Sequence, residues 1–302
     1  MNYGRTSLRR RAKQLDARGT RIRHKIGVIL GKLLLIGIIV GGCATVSFGV
    51  GALKGILASA PDISEVDVIP TGYSTKVLAA DGSETAKLVA AGSNRQYVTI
   101  DQIPENLQHA VVAIEDERFY DHNGIDLKGI VRALVADVRT RDFSQGASTL
   151  TQQLIKNNVL SEQWANENDS NISKMEKMER QVQRKIQEQY LAIELEKKVN
   201  DKNWILENYL NSINLGSNTL GVQAAAQRYF GKDVSKLTLS ECAVIAGITK
   251  NPAGYNPILH PKENAKRRKN VLDAMKKQGY ISQKQYDKAM ADDVYGRISC
   301  LL

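Results

Sequence analysis

An uncharged run from Leu33 to Leu53 constrains the fold of this 302-residue chain more than any other feature. At helical rise its 21 residues extend about 30 Å, the thickness of the hydrocarbon core of a bilayer. Ten basic residues and one acidic residue precede the run. Because lysine and arginine accumulate on the cytoplasmic side of a span, we expect a single transmembrane helix with a cytoplasmic N-terminus.

A cleaved signal peptide is the alternative interpretation of this run. The tripeptide Ala58-Ser59-Ala60 resembles a small-residue cleavage site. However, the uncharged run is longer than the apolar region of a usual signal peptide, about 7 to 15 residues. The sequence therefore favours a retained anchor in the plasma membrane, with everything after residue 60 on the extracytoplasmic side.

The net charge of +10 is concentrated in the first 32 residues, which carry +9. The remaining chain has 32 basic and 31 acidic residues, so it is nearly neutral. A nucleic-acid partner is therefore not expected. The three cysteines, Cys43, Cys242 and Cys300, form no CxxC pair, and neither a disulfide nor a cysteine metal site is indicated.

The residue pattern changes from extended to helical near Asp101. Between residues 61 and 100, Asp81-Gly82 separates two strand-like segments, which predicts a hairpin. Beyond Asp101, apolar spacing predicts nine helices, with capping boxes at Thr238 and Ser282. They lie near residues 104–116, 126–138, from 148, 173–199, 202–212, 221–230, 239–249, 262–277 and 283–290. The predicted fold class is mostly α, with a small β linker and one N-terminal transmembrane helix.

Five segments make up the predicted domain organisation: a basic cytoplasmic tail (1–32), an anchor (33–55), an extended or β linker (56–100), a helical domain (101–291) and a tail (292–302). Polar loops at 139–147 and 161–170 interrupt the helical domain. Each loop is either an ordinary surface loop or a segment that gates a substrate site.

The ten residues from Glu115 to Gly124 contain four carboxylates, one imidazole and two aromatic rings. An apolar segment, residues 110 to 114, precedes them, so Glu115 and Asp116 emerge where the chain leaves the core. A carboxylate in such a place is suited to general acid or base catalysis. Polarity at a helix end followed by a turn explains the same residues, and this segment alone does not decide between the two.

Two further polar clusters can carry chemistry. Ser148, Thr149, Gln152, Gln153, Lys156 and Asn157 occupy neighbouring positions of one helix, with Ser148 as its predicted cap. They can bind sugar or phosphate oxygens, or they can form a solvated face. Arg184, Lys185 and Glu188 can form a helix-stabilising ion pair, or they can place a second carboxylate between two cations that bind pyrophosphate.

Several common chemistries lack their motifs in this sequence. It contains no glycine-rich phosphate loop, no HExxH or other metal spacing among its four histidines, and no Gly-x-Ser-x-Gly.

Five motifs in order carry a resemblance to a known family. They are Glu115-Asp-x-x-Phe119-x-x-His122-x-Gly124, Gly146-x-Ser-Thr-x-Thr-Gln-Gln153-x-x-Lys-Asn157, Arg184-Lys-x-x-Glu188, Ile205-Leu-Glu-x-Tyr-Leu-Asn211 and Gly247-x-x-x-x-Pro252-x-x-Tyr-Asn-Pro257. Together they closely resemble the peptidoglycan glycosyltransferase domain (glycosyltransferase family 51 type) of class A penicillin-binding proteins and their monofunctional relatives. The resemblance covers about residues 70 to 290.

The resemblance implies a lysozyme-like α fold that polymerises lipid II into glycan strands for the bacterial cell wall. The donor is a glycan linked through pyrophosphate to a polyprenyl carrier, and the acceptor is the GlcNAc 4-hydroxyl of lipid II. The transfer inverts the donor's anomeric carbon. Membrane lipid and other cell-wall synthesis proteins are the expected partners.

The resemblance also assigns roles to the candidate residues. Glu115 is expected to be the general base, and Glu188 a second essential carboxylate near the donor pyrophosphate. Lys156, Arg184 and Lys185 are expected to offset the charge of the leaving group. The remaining predicted substrate-binding residues have two roles. Ser148, Thr149, Gln152, Gln153 and Asn157 are expected to orient sugars and phosphates. Phe119 and His122 are expected to shape the pocket around Glu115 and, together with Asp116, mainly to set its position. No cofactor is required, although Asp116 and Glu188 can hold Mg²⁺.

The sequence departs from the family pattern in two ways. Ala147 stands where the family usually has a second glycine. The transpeptidase motifs Ser-x-x-Lys and Lys-Thr-Gly are missing, so we expect a truncated or fragmentary class A member, or else a monofunctional enzyme. A lysozyme-like glycan-cleaving enzyme and a non-catalytic scaffold for cell-wall assembly are the rival functions.

Overall fold

A computed structural model describes most of the chain, in two compact units, Met1–Ser59 and Ala60–Leu302. The described residues are 4–16, 18–63, 68–70, 75–88, 94–140, 148–161, 163–164 and 172–298. The predicted polar loops at 139–147 and 161–170 therefore lie mostly outside them, as does Ala147.

The first unit consists of two helices, α1 (Arg5–Asp16) and α2 (Arg18–Ala58). Within α2, residues Ile22–Ala58 are long and apolar enough to cross a membrane, and they are the only such segment among the described residues. Large apolar side chains such as Leu34 and Phe48 are exposed along it. The predicted basic tail, residues 1–32, is largely helical in α1 and the start of α2. Lysine and arginine are good helix formers.

The predicted hairpin is present at the start of the second unit. Strands β1 (Thr75–Leu78) and β2 (Glu84–Leu88) pair antiparallel. Gly82 adopts φ +81°, and the Asp81 carboxylate accepts a 2.9 Å hydrogen bond from the backbone N–H of Ser83. A left-handed glycine after an aspartate is typical of a tight turn between strands.

Nine α-helices follow among the described residues, and the mostly α fold class is confirmed. They are α3 (Glu105–Glu115), α4 (Leu127–Thr140), α5 (Leu150–Asn158), α6 (Lys174–Val199), α7 (Lys202–Ser212), α8 (Val222–Phe230), α9 (Leu239–Ile248), α10 (Pro261–Lys277) and α11 (Gln283–Ala291). Both predicted capping boxes are formed, because Thr238 and Ser282 each exchange hydrogen bonds with the residue three positions later.

The predicted cap of α5 is wrong by one residue. Thr149 is the N-cap, with an extended backbone and a side chain that accepts a hydrogen bond from the N–H of Gln152. The hydroxyl of Ser148 instead accepts a 2.6 Å hydrogen bond from Lys185. Either hydroxyl can cap a helix, so the choice between them depends on this long-range contact.

Helix α9 lies at the centre of the core. All its residues from Ser240 to Ile248 are buried, and it packs against α3 and α10. Helix α5 packs against α6 and α7. These two groups of helices bring the end of α3, the start of α5 and the middle of α6 into one region.

The segment predicted as a tail, 292–302, belongs to the packed domain as far as residue 298. Val294 is fully buried, and the Tyr295 hydroxyl donates a 2.6 Å hydrogen bond to Asn264. Arg297 pairs with Asp292 and with the buried Glu241. The segment lacks helical periodicity, which is why the sequence did not indicate its packing. The other predicted boundaries stay predictions.

Candidate active site

A cleft of about 840 Å³ lies where α3, α5, α6, α7 and α10 meet. Its lining residues are Ile114, Glu115, Ser148, Gln153, Lys156, Asn157, Arg184, Lys185, Glu188, Tyr209, Ile213, Asn214, Thr249, Lys250, Pro252 and Arg267. Eight of the thirteen predicted site residues are among them, and the other five lie behind the wall of the cleft. Three sequence motifs, separated by as many as 73 positions, therefore meet in one place.

The cleft carries a positive charge. Five cationic and two anionic side chains line it, a net charge of +3. The two carboxylates are Glu115 and Glu188, and the cations are Lys156, Arg184, Lys185, Lys250 and Arg267. A concave surface of one dominant sign concentrates ligands of the opposite sign. The cleft is therefore suited to an anionic substrate.

Glu115 is the last residue of α3, directly after buried residues that fix its position. Its side chain is 13% exposed. The Thr249 hydroxyl lies 2.6 Å from Glu115 Oε1, and Gln153 Nε2 donates to Oε2 over 3.3 Å. The Arg267 guanidinium is 3.6 Å from Oε1. A carboxylate held in this way at a cleft can act as a general base toward a bound hydroxyl.

Tyr209 orients the amide that contacts Glu115. Its hydroxyl donates a 3.0 Å hydrogen bond to Gln153 Oε1. Burial, together with the negative charges of Glu115 and Asp116, raises the pKa of Tyr209 well above its ordinary value. The phenol therefore stays protonated, and Gln153 presents its N–H group to Glu115.

Glu188 is nearly buried on α6, where it pairs with both Arg184 and Lys185. The Lys185 ammonium also donates to Ser148 Oγ over 2.6 Å and to Gln152 Oε1 over 3.0 Å. The same three side chains thus form the ion pairs and part of the cleft wall. The ion pairs of the Arg184-Lys185-Glu188 cluster are formed, and the binding of pyrophosphate by its two cations stays a prediction.

Asp116 and His122 form a buried pair behind the cleft. His122 Nε2 lies 3.0 Å from both Asp116 carboxylate oxygens, and the N–H of Leu150 donates to Asp116 Oδ2 over 2.9 Å. Phe119 is fully buried, with the Lys202 ammonium 4.6 Å from its ring centroid. The three side chains are buried behind the cleft, and their substrate-binding role stays a prediction. They hold the segment after α3 against α5, and so they position Glu115.

Thr149 and Gln152 are also turned away from the cleft. The Thr149 hydroxyl donates to the Gly124 carbonyl over 2.7 Å, and Gln152 Nε2 donates to the same oxygen over 3.3 Å. Both side chains are almost fully buried. Their hydrogen bonds fix the turn at Gly124, and their contact with substrate stays a prediction.

Sequence reasoning gave no role to eight residues that line the cleft, among them Tyr209, Thr249, Lys250 and Arg267. Tyr209, Thr249 and Lys250 lie within motifs that carried the resemblance. Arg267 is one of seven basic residues on α10, and its local sequence does not distinguish it from its neighbours. Only the packing of α10 against α3 and α9 brings this arginine to Glu115.

Asp116 and Glu188 do not form the Mg²⁺ pair considered from the sequence. Asp116 is engaged by His122 and Leu150 away from the cleft, and Glu188 is engaged by two cations. In the part of the chain that the structure describes, no group of three or more His, Cys, Asp or Glu side chains is placed to hold a metal ion. The residues present do not fit a metal held in this way.

A second pocket, of about 410 Å³, continues from the cleft. The two share Lys156, Asn157, Arg184 and Asn214 as lining residues. The two pockets therefore adjoin each other.

Comparison with known proteins places this site within a family. The sequence profile of the family described as Transglycosylase matches residues 81–276. Penicillin-binding protein 1A/1B of Bacillus subtilis is 40% identical over 258 residues, which cover 85% of this chain and 25% of that protein. Penicillin-binding protein 1A of Aquifex aeolicus is 46% identical over 196 residues, which cover 65% of this chain and 25% of that protein.

A crystal structure of penicillin-binding protein 1A from Haemophilus influenzae is 25% identical in sequence, with a TM-score of 0.40. The match covers 76% of this chain and 22% of that one. At this TM-score the similarity supports no argument about the fold, so the lysozyme-like architecture stays a prediction. The chain spans about a quarter of the length of the two curated relatives.

Proposed function

Because the chain belongs to the Transglycosylase family, the glycosyltransferase domain of class A penicillin-binding proteins, we propose that it is a peptidoglycan glycosyltransferase. Its donor is a growing glycan linked through pyrophosphate to a polyprenyl carrier. Its acceptor is lipid II, and the product is a glycan strand of the bacterial cell wall. The similarity to known proteins shows the family to which the chain belongs, and we propose the activity of this chain from its cleft.

The observation that carries the proposal is the shared cleft of Glu115 and the Arg184-Lys185-Glu188 cluster. A base for a sugar hydroxyl needs a carboxylate, and a pyrophosphate leaving group needs cations nearby. The net charge of +3 supplies the second requirement. A glycan-cleaving enzyme has no pyrophosphate to neutralise, so the cations favour transfer from a pyrophosphate-linked donor.

Glu115 takes the proton from the GlcNAc 4-hydroxyl of lipid II in this mechanism. The hydroxyl oxygen then forms a bond to the donor's anomeric carbon, and the bond from that carbon to the pyrophosphate oxygen breaks. The pyrophosphate leaves with the electron pair, and attack from the opposite face inverts the carbon. Glu115 afterwards releases its proton to solvent.

Lys156, Arg184 and Lys185 stabilise the negative charge that develops on the leaving pyrophosphate. Glu188 holds Arg184 and Lys185 in place through its two ion pairs. Ser148, Gln153 and Asn157 line the same cleft and are available to sugar and phosphate oxygens. The second pocket gives room for a further part of the lipid-linked glycan.

The anchor also fits this function. A substrate on a polyprenyl chain stays in the bilayer, so an enzyme confined there meets it more often. We propose that α2 spans the plasma membrane once, with residues 1–32 in the cytoplasm and the helical domain outside. In a variant whose three native cysteines are replaced, a cysteine introduced at Lys284 tests this topology, since an impermeant thiol reagent should label it in intact cells.

Polymerisation of lipid II by purified wild-type protein, Glu115→Gln and Glu188→Gln tests the proposed activity. Wild-type protein should extend glycan strands, and both variants should lose this activity while they remain folded at the assay temperature. Glu117→Gln is the matched control, because Glu117 bonds to Arg132 outside the cleft.

Finished peptidoglycan, offered separately, distinguishes the alternatives. Cleavage of it without chain growth would identify a glycan-cleaving enzyme. Full complementation of cell growth by Glu115→Gln, together with inactivity of the purified wild-type protein, would identify a scaffold.

A further inference from the structure

Four side chains form a hydrogen-bonded chain through Glu115. The Tyr209 hydroxyl donates to Gln153 Oε1 over 3.0 Å, and Gln153 Nε2 donates to Glu115 Oε2 over 3.3 Å. On the other side, the Thr249 hydroxyl lies 2.6 Å from Glu115 Oε1. The two oxygens of the carboxylate therefore have chemically different neighbours.

The group next to Oε2 is the Gln153 side-chain N–H, and the amide cannot rotate to present its oxygen instead. Among the described residues, the buried Tyr209 hydroxyl has one hydrogen-bond partner, Gln153 Oε1. If the Gln153 amide turned over, the phenol proton would lose its acceptor and Oε1 would face Glu115. An unsatisfied buried donor is unfavourable, so the amide keeps its N–H group on Oε2. A proton on Oε2 would compete with that N–H group.

The group next to Oε1 is the Thr249 hydroxyl, which can either donate or accept a hydrogen bond. Thr249 Oγ1 lies 2.6 Å from Glu115 Oε1 and 2.8 Å from the Ala246 carbonyl oxygen. A hydroxyl has one proton and can donate to only one of these two acceptors at a time. When Glu115 is ionised, Thr249 donates to it. When Oε1 carries a proton, Thr249 donates to Ala246 and accepts that proton in a hydrogen bond.

We infer that Glu115 takes up the acceptor's proton on Oε1, with Tyr209 and Thr249 as positioning residues that select this oxygen. The inference rests on the proposed function. As the 4-hydroxyl oxygen bonds to the anomeric carbon, the pyrophosphate leaves with the electron pair of the bond that breaks. The hydroxyl proton moves to Oε1, and the Thr249 proton turns to the Ala246 carbonyl.

The Arg267 guanidinium lies 3.6 Å from Oε1, the oxygen that receives the proton.

Thr249→Val and Thr249→Ser provide the first test, with kcat and KM measured for lipid II polymerisation. Valine keeps the shape but removes the hydroxyl, and we expect kcat to fall by about tenfold to a hundredfold, with KM within about twofold. Serine keeps the hydroxyl and should retain kcat to within about threefold. A loss that serine does not rescue would mean that the methyl group matters, and it would overturn the role of the hydroxyl.

A double-mutant cycle tests Tyr209. Tyr209→Phe should lower kcat by about tenfold in the wild-type background, but by less than about twofold in the Gln153→Ala background. A residue that only supports the fold would have the same effect in both backgrounds. Tyr229→Phe is the matched control, since this buried tyrosine donates to the Leu215 carbonyl away from Glu115. It should leave kcat unchanged.

The outcomes separate this inference from the proposed function. Absence of chain growth by the wild-type protein would remove the proposed function itself. Chain growth by Glu115→Gln would remove the role of Glu115 as the base, and this inference with it. Loss of activity in Glu115→Gln, with wild-type kcat in Thr249→Val, would overturn the inference alone. If Tyr209→Phe does not fold, the Thr249 pair of variants still decides the matter.

Discussion

The Lys185 ammonium donates a hydrogen bond to the Ser148 hydroxyl over 2.6 Å and joins two motifs 37 positions apart. The same nitrogen contacts Gln152 Oε1 and Glu188 Oε2, at 3.0 and 3.1 Å. One side chain of α6 thus holds the start of α5 and places its charge on the wall of the cleft.

Replacement of Lys185 by methionine should lower kcat/KM for lipid II by about a hundredfold, because it removes a preorganised cation at the leaving group. Methionine preserves much of the apolar stem. Lys197→Met is the matched control: Lys197 lies on the same helix, is largely exposed and pairs with Glu194. An exposed pair of this kind contributes little, so this variant should keep its activity. Equal losses in both variants would argue against a specific role for Lys185.

Asp116→Asn should destabilise the domain and leave the KM for lipid II unchanged. The variant weakens a buried pair with His122, at an expected cost of about 1–3 kcal/mol in the free energy of unfolding. Urea denaturation and kinetics well below the unfolding midpoint provide the two measurements. A raised KM at unchanged stability would show that Asp116 contributes to substrate binding.

Gly124→Ala should destabilise the domain by about 2–5 kcal/mol, since left-handed strain and a steric clash add together. Gly124 adopts φ +85°, and an added Cβ would lie 2.6 Å from the Ala192 carbonyl carbon and oxygen. Gly279→Ala separates the two effects, because Gly279 has φ +81° but open space around it. It should cost about 1 kcal/mol by denaturation. Similar costs at both positions would exclude the clash.

Glu241→Gln should change how stability depends on pH. Burial raises the pKa of Glu241, but hydrogen bonds from Thr238 and Lys232 and the Lys232 charge outweigh burial, so its pKa lies below the usual value. A lowered folded-state pKa stabilises the fold above the unfolded pKa, and this contribution is lost as pH falls through the folded value. The wild-type advantage over Glu241→Gln should be about 1–3 kcal/mol at pH ~7 and smaller at pH ~3.

Urea unfolding of both proteins at the two pH values measures this difference. Glu194→Gln is the control at neutral pH, since Glu194 forms only a partly exposed pair with Lys197, and it should cost less than about 0.5 kcal/mol. An advantage of the wild type over Glu241→Gln that does not change with pH would show that Glu241 acts through packing and not through its charge.

Local patterns were enough to predict the helices, the hairpin and two of the caps. The interactions that start or stop these elements join residues three or four positions apart, such as Thr238 with Glu241. A short stretch of sequence therefore contains both partners. The uncharged run from Leu33 to Leu53 predicted a membrane-spanning helix for the same reason. The order of the motifs was enough to indicate the family.

The division of polar residues between the cleft and the interior was decided by the tertiary structure alone. Gln152 and Gln153 are adjacent on α5, and successive side chains of a helix point about 100° apart. The packing of α5 against α6 and α7 turns Gln152 toward the Gly124 carbonyl and Gln153 toward Glu115. The same packing places Arg267 beside Glu115 from a helix whose sequence shows only many basic residues. Composition and spacing determine which elements form, but contacts between distant residues exist only once the helices have packed.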